Sequence, residues 1–335
     1  KINMIYFIGL GLNPPHTIPV AGINLSGKID IKLLDTYTTK IDEKLTGMLK
    51  EELKAQPASR SLLEDVNKIM NMARDHDVGI YIYGDPFIAT THQALRIEAL
   101  KRGIPVKTIY AASFLNALLG ETGLHVYKIG FIGTLLADDI ASAHYIYRNV
   151  KRSLEMGKHS IIITYSGNSL SLREALELLE KAENNYKEGV FGPDSGLIVA
   201  GDLGKDEEEI VCGKIKDLMR EEFNHSIFVI VVPSQLHFTE EESIKLVAKG
   251  EPISNTVKSL LRQRTEQIIY KTERAIGGLK VNNEIKELVN NSLSYLNDAK
   301  EFLNKGEEET ALMQAAYAEG LIDALRFMGI QDISW

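Results

Sequence analysis

The run Val78-Gly79-Ile80-Tyr81-Ile82-Tyr83, followed at once by Gly84-Asp85-Pro86-Phe87-Ile88-Ala89-Thr90-Thr91-His92, decides how the rest of the chain is read. Its first six residues form an apolar, β-branched and aromatic strand, and Gly84-Asp85-Pro86 ends it with strong turn chemistry. Residues 93–102 then have helical spacing up to Gly103, and residues 106–110 read as the next strand. Upstream, residues 4–10 and 29–36 read as strands. Residues 62–75 read as a helix, with apolar positions at Leu62, Leu63, Val66, Ile69, Met70 and Ala73. This alternation predicts an α/β unit on a mostly parallel sheet.

A second block repeats the theme. Residues 126–132 and 160–165 read as strands around a helix at 138–154, and the glycines at 130–133 suggest a domain boundary. A helix at 172–182, a short strand at 197–200 and the β-branched run 227–232 follow. Glu240-Glu241-Glu242 opens a helix, and its charge is read as complementing the positive helix end. From Pro252 the strands stop. Three helical segments remain, 254–275, 283–304 and 307–327, broken at Gly277-Gly278 and Lys305-Gly306. The middle one carries a one-sided stripe of Ile285, Leu288, Val289, Leu293, Leu296, Ala299 and Leu303. The expected organisation is an N-terminal α/β domain over 1–130, a C-terminal α/β domain over 131–251 and an all-helical module over 252–335.

Composition narrows the function. The 335 residues carry 38 Lys and Arg against 46 Asp and Glu, a net charge of −8, with 44 % hydrophobic and 25 % charged residues. That balance excludes a disordered or collagen-like chain. The acidic excess argues against broad capture of nucleic acid or anionic membrane. Cys212 is the one cysteine, so no internal disulfide and no Cys-based metal site is available, and its apolar neighbours predict an inert buried thiol. No apolar run approaches the roughly 18 residues of a membrane span. The apolar stretch 4–12 is too short for a signal peptide and lacks a basic flank. A soluble cytoplasmic protein is expected.

Familiar cofactor motifs are missing. Gly9-Leu10-Gly11-Leu12-Asn13-Pro14 begins like a dinucleotide fingerprint, but Pro14-Pro15 opposes the required helix start. Its glycines fit either a tight turn or close backbone approach to a ligand. Gly196 and Gly201 have P-loop spacing, yet Asp202 stands where lysine is needed. The eight histidines are scattered, and His92 and His237, near strand ends, suit structural or ligand-contacting roles better than metal binding. No metal site is expected. Ser166-Gly167-Asn168-Ser169 reads as a turn rather than a nucleophile elbow. The segment from Gly84 to His92 lies at the carboxyl end of a central strand, where open α/β sheets bind ligands. Asp85 can accept hydrogen bonds, and Thr90 or Thr91 can cap the following helix. A polar small-molecule site and a plain capped turn both remain open on residue chemistry alone.

Together with Gly9-Leu10-Gly11-Leu12, Tyr37-Thr38-Thr39, Ala112-Ser113, Gly123-Leu124-His125-Val126-Tyr127-Lys128 and Pro233-Ser234-Gln235-Leu236-His237-Phe238-Thr239-Glu240, that segment resembles the diphthine synthases over about residues 4–250. These are S-adenosylmethionine-dependent methyltransferases of diphthamide biosynthesis. The resemblance implies two α/β domains of the tetrapyrrole-methylase type with a ligand cleft between them, here followed by a C-terminal all-α module. It implies S-adenosyl-L-methionine as donor, S-adenosyl-L-homocysteine as product, a homodimer, and the modified histidine of elongation factor 2 as acceptor, methylated first at its amino nitrogen. By position it implies donor contacts at Leu12, Asp85, Ile88, Ser113 and Phe114 in the first domain and at Thr164, Leu203 and His237 in the second.

The chain departs from the family pattern at Thr164-Tyr165-Ser166, at Gly201-Asp202-Leu203-Gly204 and at Thr17-Ile18-Pro19-Val20. The tail after 252 resembles a small archaeal helical domain of unknown function, which could dock a partner or brace a dimer. No catalytic triad is expected, because methyl transfer from a sulfonium depends mainly on in-line positioning. A related methyltransferase acting on a tetrapyrrole or other small molecule, and a non-catalytic binding protein, are the alternatives.

Overall fold

Every residue of Val78–Ile82 is buried, as a strand covered on both faces requires. In the computed structural model, which describes residues 3–39, 41, 43–166, 168–257, 260–333 and 335, this strand lies inside a five-stranded parallel sheet. Its members are β1 (Ile5–Gly9), β2 (Ile31–Asp35), β3 (Gln56–Ala58), β4 (Val78–Ile82) and β5 (Val106–Ile109), in the order β3-β2-β4-β1-β5. Helices α1 (Val20–Ser26), α2 (Glu43–Leu53), α3 (Arg60–Leu63), α4 (Val66–Asp75), α5 (Gln93–Lys101) and α6 (Phe114–Thr122) accompany it. Side chains alternate between faces along each strand. Phe7, Ile80 and Ile82 therefore pack with Met70, Leu95 and Ala99, while Ile8, Leu10 and Tyr81 pack with Leu49 and Leu53.

The expected helix over 62–75 is two helices. The apolar spacing runs on through the break, but Asp65 caps α4 by accepting a hydrogen bond from Lys68 N at 3.1 Å.

The second sheet comprises β6 (Ile129–Thr134), β7 (His159–Ile163), β10 (Gly196–Gly201), β11 (Glu209–Lys214), β12 (Phe228–Val232) and β13 (Lys249–Gly250), ordered β13-β11-β10-β12-β7-β6. A two-stranded ribbon of β8 (Tyr165–Ser166) and β9 (Asn168–Ser169) stands apart, and its pairing agrees with the expected turn, although Gly167 itself lies outside the described residues. The helices here are α7 (Ile140–Glu155), α8 (Leu172–Tyr186), α9 (Ile215–Leu218) and α10 (Phe238–Val247). This sheet is mixed, since β10 runs antiparallel to both neighbours and β12 runs antiparallel to β7. Gly130 and Gly133 lie inside β6, not in a linker; a Cβ on Gly130 would sit 2.6 Å from Lys158 Cβ. The short turn Val126–Lys128 precedes that strand.

The chain falls into two compact units, Lys1–Thr256 and Val257–Trp335. The second consists of α11 (Leu260–Gly277), α12 (Lys286–Lys305) and α13 (Glu308–Phe327), with residues 258 and 259 of the first expected segment outside the described residues. Leu296, Ala299 and Leu303 meet Ala311, Ala315 and Ala318, whose small side chains let α12 and α13 approach closely. Leu293 of the expected stripe is instead exposed. Gly306, at φ +79°, closes α12 in the left-handed conformation glycine adopts without strain.

Candidate functional site

Strands β1 and β4 are adjacent, yet the chain leaving β1 reaches α1 on one face and the chain leaving β4 reaches α5 on the other. Such a divergence opens a crevice at the carboxyl edge. The two departing loops are joined at their bases. Gly11 N donates to Gly84 O at 3.2 Å, Gly84 N donates to Gly11 O at 2.9 Å, and Leu10 N donates to Ile82 O at 2.8 Å. Gly11 and Gly84 sit at φ +74° and +75°, a region closed to most side-chain-bearing residues. A Cβ on Gly9 would lie 2.7 Å from Gly84 O. The glycines thus permit one loop to approach the other.

Beyond Gly84 the loop folds on itself. Asp85 Oδ1 accepts a hydrogen bond from Phe87 N at 2.9 Å, and Thr90 Oγ1 donates to Pro86 O at 2.6 Å. Thr91 Oγ1 bonds the Tyr37 hydroxyl at 2.7 Å. Neither threonine caps α5, contrary to expectation. Both hydroxyls are engaged elsewhere, and His92 occupies the N-cap without a side-chain cap bond.

A cleft of about 770 Å³, including its open mouth, lies between these loops and the second sheet. Six of the eight expected contacts line it: Leu12, Asp85, Ile88, Ser113 and Phe114 from one side and Leu203 from the other. Thr164 does not. It is buried with Oγ1 donating to Phe228 O at 2.5 Å, while its neighbour Ile163 reaches the cleft. His237 also lies elsewhere, as the N-cap of α10, with Nδ1 2.8 Å from Thr239 Oγ1 and its ring 5.2 Å from that of His125.

The cleft includes residues that pattern reading did not single out as contacts. Thr38 and Thr39, of the Tyr37-Thr38-Thr39 motif, line it without any role implied by the sequence. In sequence Tyr83 marks only a strand end. Its hydroxyl donates to Leu12 O, and burial, then the nearby Asp202 charge, pushes the phenol well above its usual range. Asp202, which opposes a P-loop and belongs to a departure from the family pattern, holds φ +47° and places its carboxylate between Lys205 Nζ at 2.6 Å and His225 Nδ1 at 2.8 Å. His225 Nε2 meets Glu209 Oε2 at 2.9 Å. Burial drives the Asp202 carboxyl upward, but hydrogen bonds from Lys205 and His225 leave it below its ordinary value. At φ +79°, Gly204 brings this loop against the first lobe; a Cβ there would be 3.0 Å from Leu12 Cβ.

Glu240 lies in the first turn of α10, at the positive helix end as expected, but it does more than complement that end. It is fully buried and accepts hydrogen bonds from His125 N and His237 N, both at 2.8 Å, and from Lys128 Nζ at 2.6 Å. His159 Nδ1 accepts from Ser234 N at 2.9 Å, so the ring proton sits on Nε2, which donates to Glu240 Oε1 at 3.1 Å. Burial raises the Glu240 carboxyl, yet the hydrogen bonds, led by Lys128, bring it down to about 2. This one carboxylate ties residues 125–128, which follow the first sheet, to β7 and α10. The His237 contact is a local capping box, but no local pattern reveals the rest, because His125, Lys128 and His159 are remote in sequence.

Residues 4–219 match the family described as tetrapyrrole (corrin/porphyrin) methylases, and residues 259–331 match one described as a protein of unknown function, DUF357. The diphthine synthase of Methanosphaera stadtmanae is 30 % identical over 252 residues, covering 73 % of this chain and 96 % of that protein. That of Methanocaldococcus jannaschii is 31 % identical over 257 residues, covering 74 % and 100 %. A crystal structure of diphthine synthase superposes with a TM-score of 0.65 at 25 % identity, covering 73 % of this chain and 96 % of that one.

Proposed function

Because the chain belongs to the tetrapyrrole methylases and, within them, to the diphthine synthases, we propose that it is an S-adenosylmethionine-dependent methyltransferase of diphthamide biosynthesis, acting on the modified histidine of elongation factor 2. The observation that carries the reading is the cleft at the carboxyl edge of the first sheet, walled by residues from both lobes.

The residues present fit such a donor. Asp85 is 8 % exposed, spends Oδ1 on Phe87 N, and has no ion pair among the described residues. A lone carboxylate of this kind suits the hydroxyls of a ribose. Leu12, Ile88, Phe114 and Leu203 offer apolar surface of the kind that accepts a purine ring. When bound, the donor supplies a sulfonium methyl group that passes to a nucleophile as the carbon–sulfur bond breaks. The chain's own contribution is to bind, orient and exclude water. Asp85 and the apolar walls fix the donor, and the contact of Leu12 with the Gly204 loop shields it from bulk solvent. Proposed donor contacts are Leu12, Asp85, Ile88, Ser113, Phe114 and Leu203. Thr164 and His237 would act through Ile163 and the Glu240 network.

The same reading takes the protein as a cytoplasmic homodimer divided at about residues 130 and 251, for light scattering and limited proteolysis to test. No described helix is long and apolar enough to cross a membrane. The deciding experiment is calorimetric titration with S-adenosylmethionine, followed by incubation with elongation factor 2 carrying the unmethylated intermediate. Micromolar or tighter binding and a gain of methyl mass on the factor are expected. Absence of donor binding refutes the reading. Donor binding without methylation of the factor assigns a different acceptor.

A further inference from the structure

His92 is 1 % exposed and Asp35 is 2 % exposed, and neither is explained by packing alone. Asp35 ends β2. Its Oδ1 accepts hydrogen bonds from Tyr37 N at 2.8 Å and Thr38 N at 3.0 Å, which fixes the turn that presents Thr38 and Thr39 to the cleft. His92 ends the segment that presents Asp85, Ile88 and Thr90 to the same cleft. The two wall segments are joined near the surface by the Tyr37–Thr91 hydroxyl contact at 2.7 Å. Beneath it, His92 Nε2 lies 3.3 Å from Asp35 Oδ2. That approach lacks hydrogen-bond alignment: Asp35 Oδ2 and both His92 nitrogens are buried without a hydrogen-bond partner.

Buried polar atoms left unpaired are costly, and here two of them face each other across the junction of the segments that grip the ligand. A small inward movement of either segment would align donor with acceptor and relieve both. Burial holds the His92 ring below its ordinary value against the pull of Asp35, so the ring is neutral with one proton to donate.

We propose that Asp35 and His92 are a positioning pair for the donor cleft, with the His92 Nε2–H donating to Asp35 Oδ2 when the two wall segments close on bound donor. The pair does not touch the reacting atoms. It acts through Thr38, Thr39 and the 85–90 turn, by making the closed arrangement the one in which His92 Nε2 and Asp35 Oδ2 satisfy each other. This rests on the methyltransferase reading above.

The test compares full-length wild-type protein, His92→Leu, His92→Gln and Asp35→Asn, and both His92 variants in the Asp35→Asn background. Donor affinity is measured by calorimetry with S-adenosylmethionine, and KM and kcat with the elongation factor substrate. His92→Leu is expected to weaken donor binding about tenfold, with the loss in donor KM rather than kcat. His92→Gln, whose amide can donate from nearly the same place, should recover to within about threefold of wild type. In the Asp35→Asn background the difference between leucine and glutamine should vanish. If the two His92 variants are equally weak beside wild-type Asp35, or if His92→Leu folds with unchanged affinity, the pair has no positioning role. A second readout needs no risky variant. In the wild-type proton–nitrogen spectrum, the ring N–H assigned to His92 by its loss in His92→Gln should move downfield on donor addition, and an unmoved resonance overturns the proposal. A wild-type protein that binds no donor at all refutes instead the methyltransferase reading.

Discussion

Replacing Glu240 by alanine removes a fully buried carboxylate that four donors share. Two independent routes give the cost. Deleting one member of a buried charged network typically destabilises by about 3–5 kcal/mol, because the partners stay behind unpaired. A carboxyl displaced from 4.5 to about 2 favours the ionised over the protonated form, at about 1.4 kcal/mol per pH unit, by about 3.5 kcal/mol. The lower end is favoured, since the Lys128 side chain is 23 % exposed and can rehydrate, whereas His159 cannot. Urea unfolding followed by far-ultraviolet circular dichroism should therefore show a loss of about 3 kcal/mol at pH 7. The folded state holds fewer protons on Glu240 than the unfolded state does. Its contribution is therefore complete above about pH 4.5 and fades as pH falls toward 2. Wild type and Glu240→Ala should accordingly converge in stability across that window. A loss below about 1 kcal/mol at pH 7, or a difference independent of pH between 5 and 2, would refute the view that this carboxylate clamps the lobes.

Three further outcomes follow from the same geometry. Asp85→Ala should lower donor affinity at least tenfold in calorimetry while leaving the urea midpoint nearly unchanged, because Oδ1 serves only the local turn. Gly11→Ala combines a left-handed backbone with a Cβ 2.5 Å from Thr17 Oγ1, and should cost about 2 kcal/mol or more in chemical denaturation. The Cys212 thiol is pushed up to about 11, first by burial, so native protein at pH 8 should resist iodoacetamide and label only on unfolding.

What the sequence makes legible follows from what is local. Strands such as β4 and β12 are buried on both faces and are therefore continuous apolar runs. Short elements escape notice: the edge strand β3 is Gln56-Pro57-Ala58, and β11 has only the apolar run Ile210-Val211-Cys212 between Glu209 and Gly213-Lys214. The mixed direction of the second sheet is set by packing between elements far apart in the chain. In the cleft, Leu12, Asp85 and Ser113 all follow parallel strands; residue chemistry alone points to the Asp85 turn, and the family resemblance implies the other two. The roles of Asp202 and Glu240 are not legible in that way. A charged residue looks the same in sequence whether it faces water or a buried lysine. Their meaning depends on His225 and on Lys128 and His159, which only the fold brings near.

The mutual hydrogen bonds of Gly11 and Gly84 mean that the bases of the two loops beside the cleft meet as peptide units rather than side chains. Such a junction has nothing that a codon change can trim, recharge or enlarge, apart from adding a Cβ that the conformation rejects. A change of ligand preference by side-chain substitution therefore has to act at the side-chain-bearing walls, such as Asp202 and Leu203, and not at this junction.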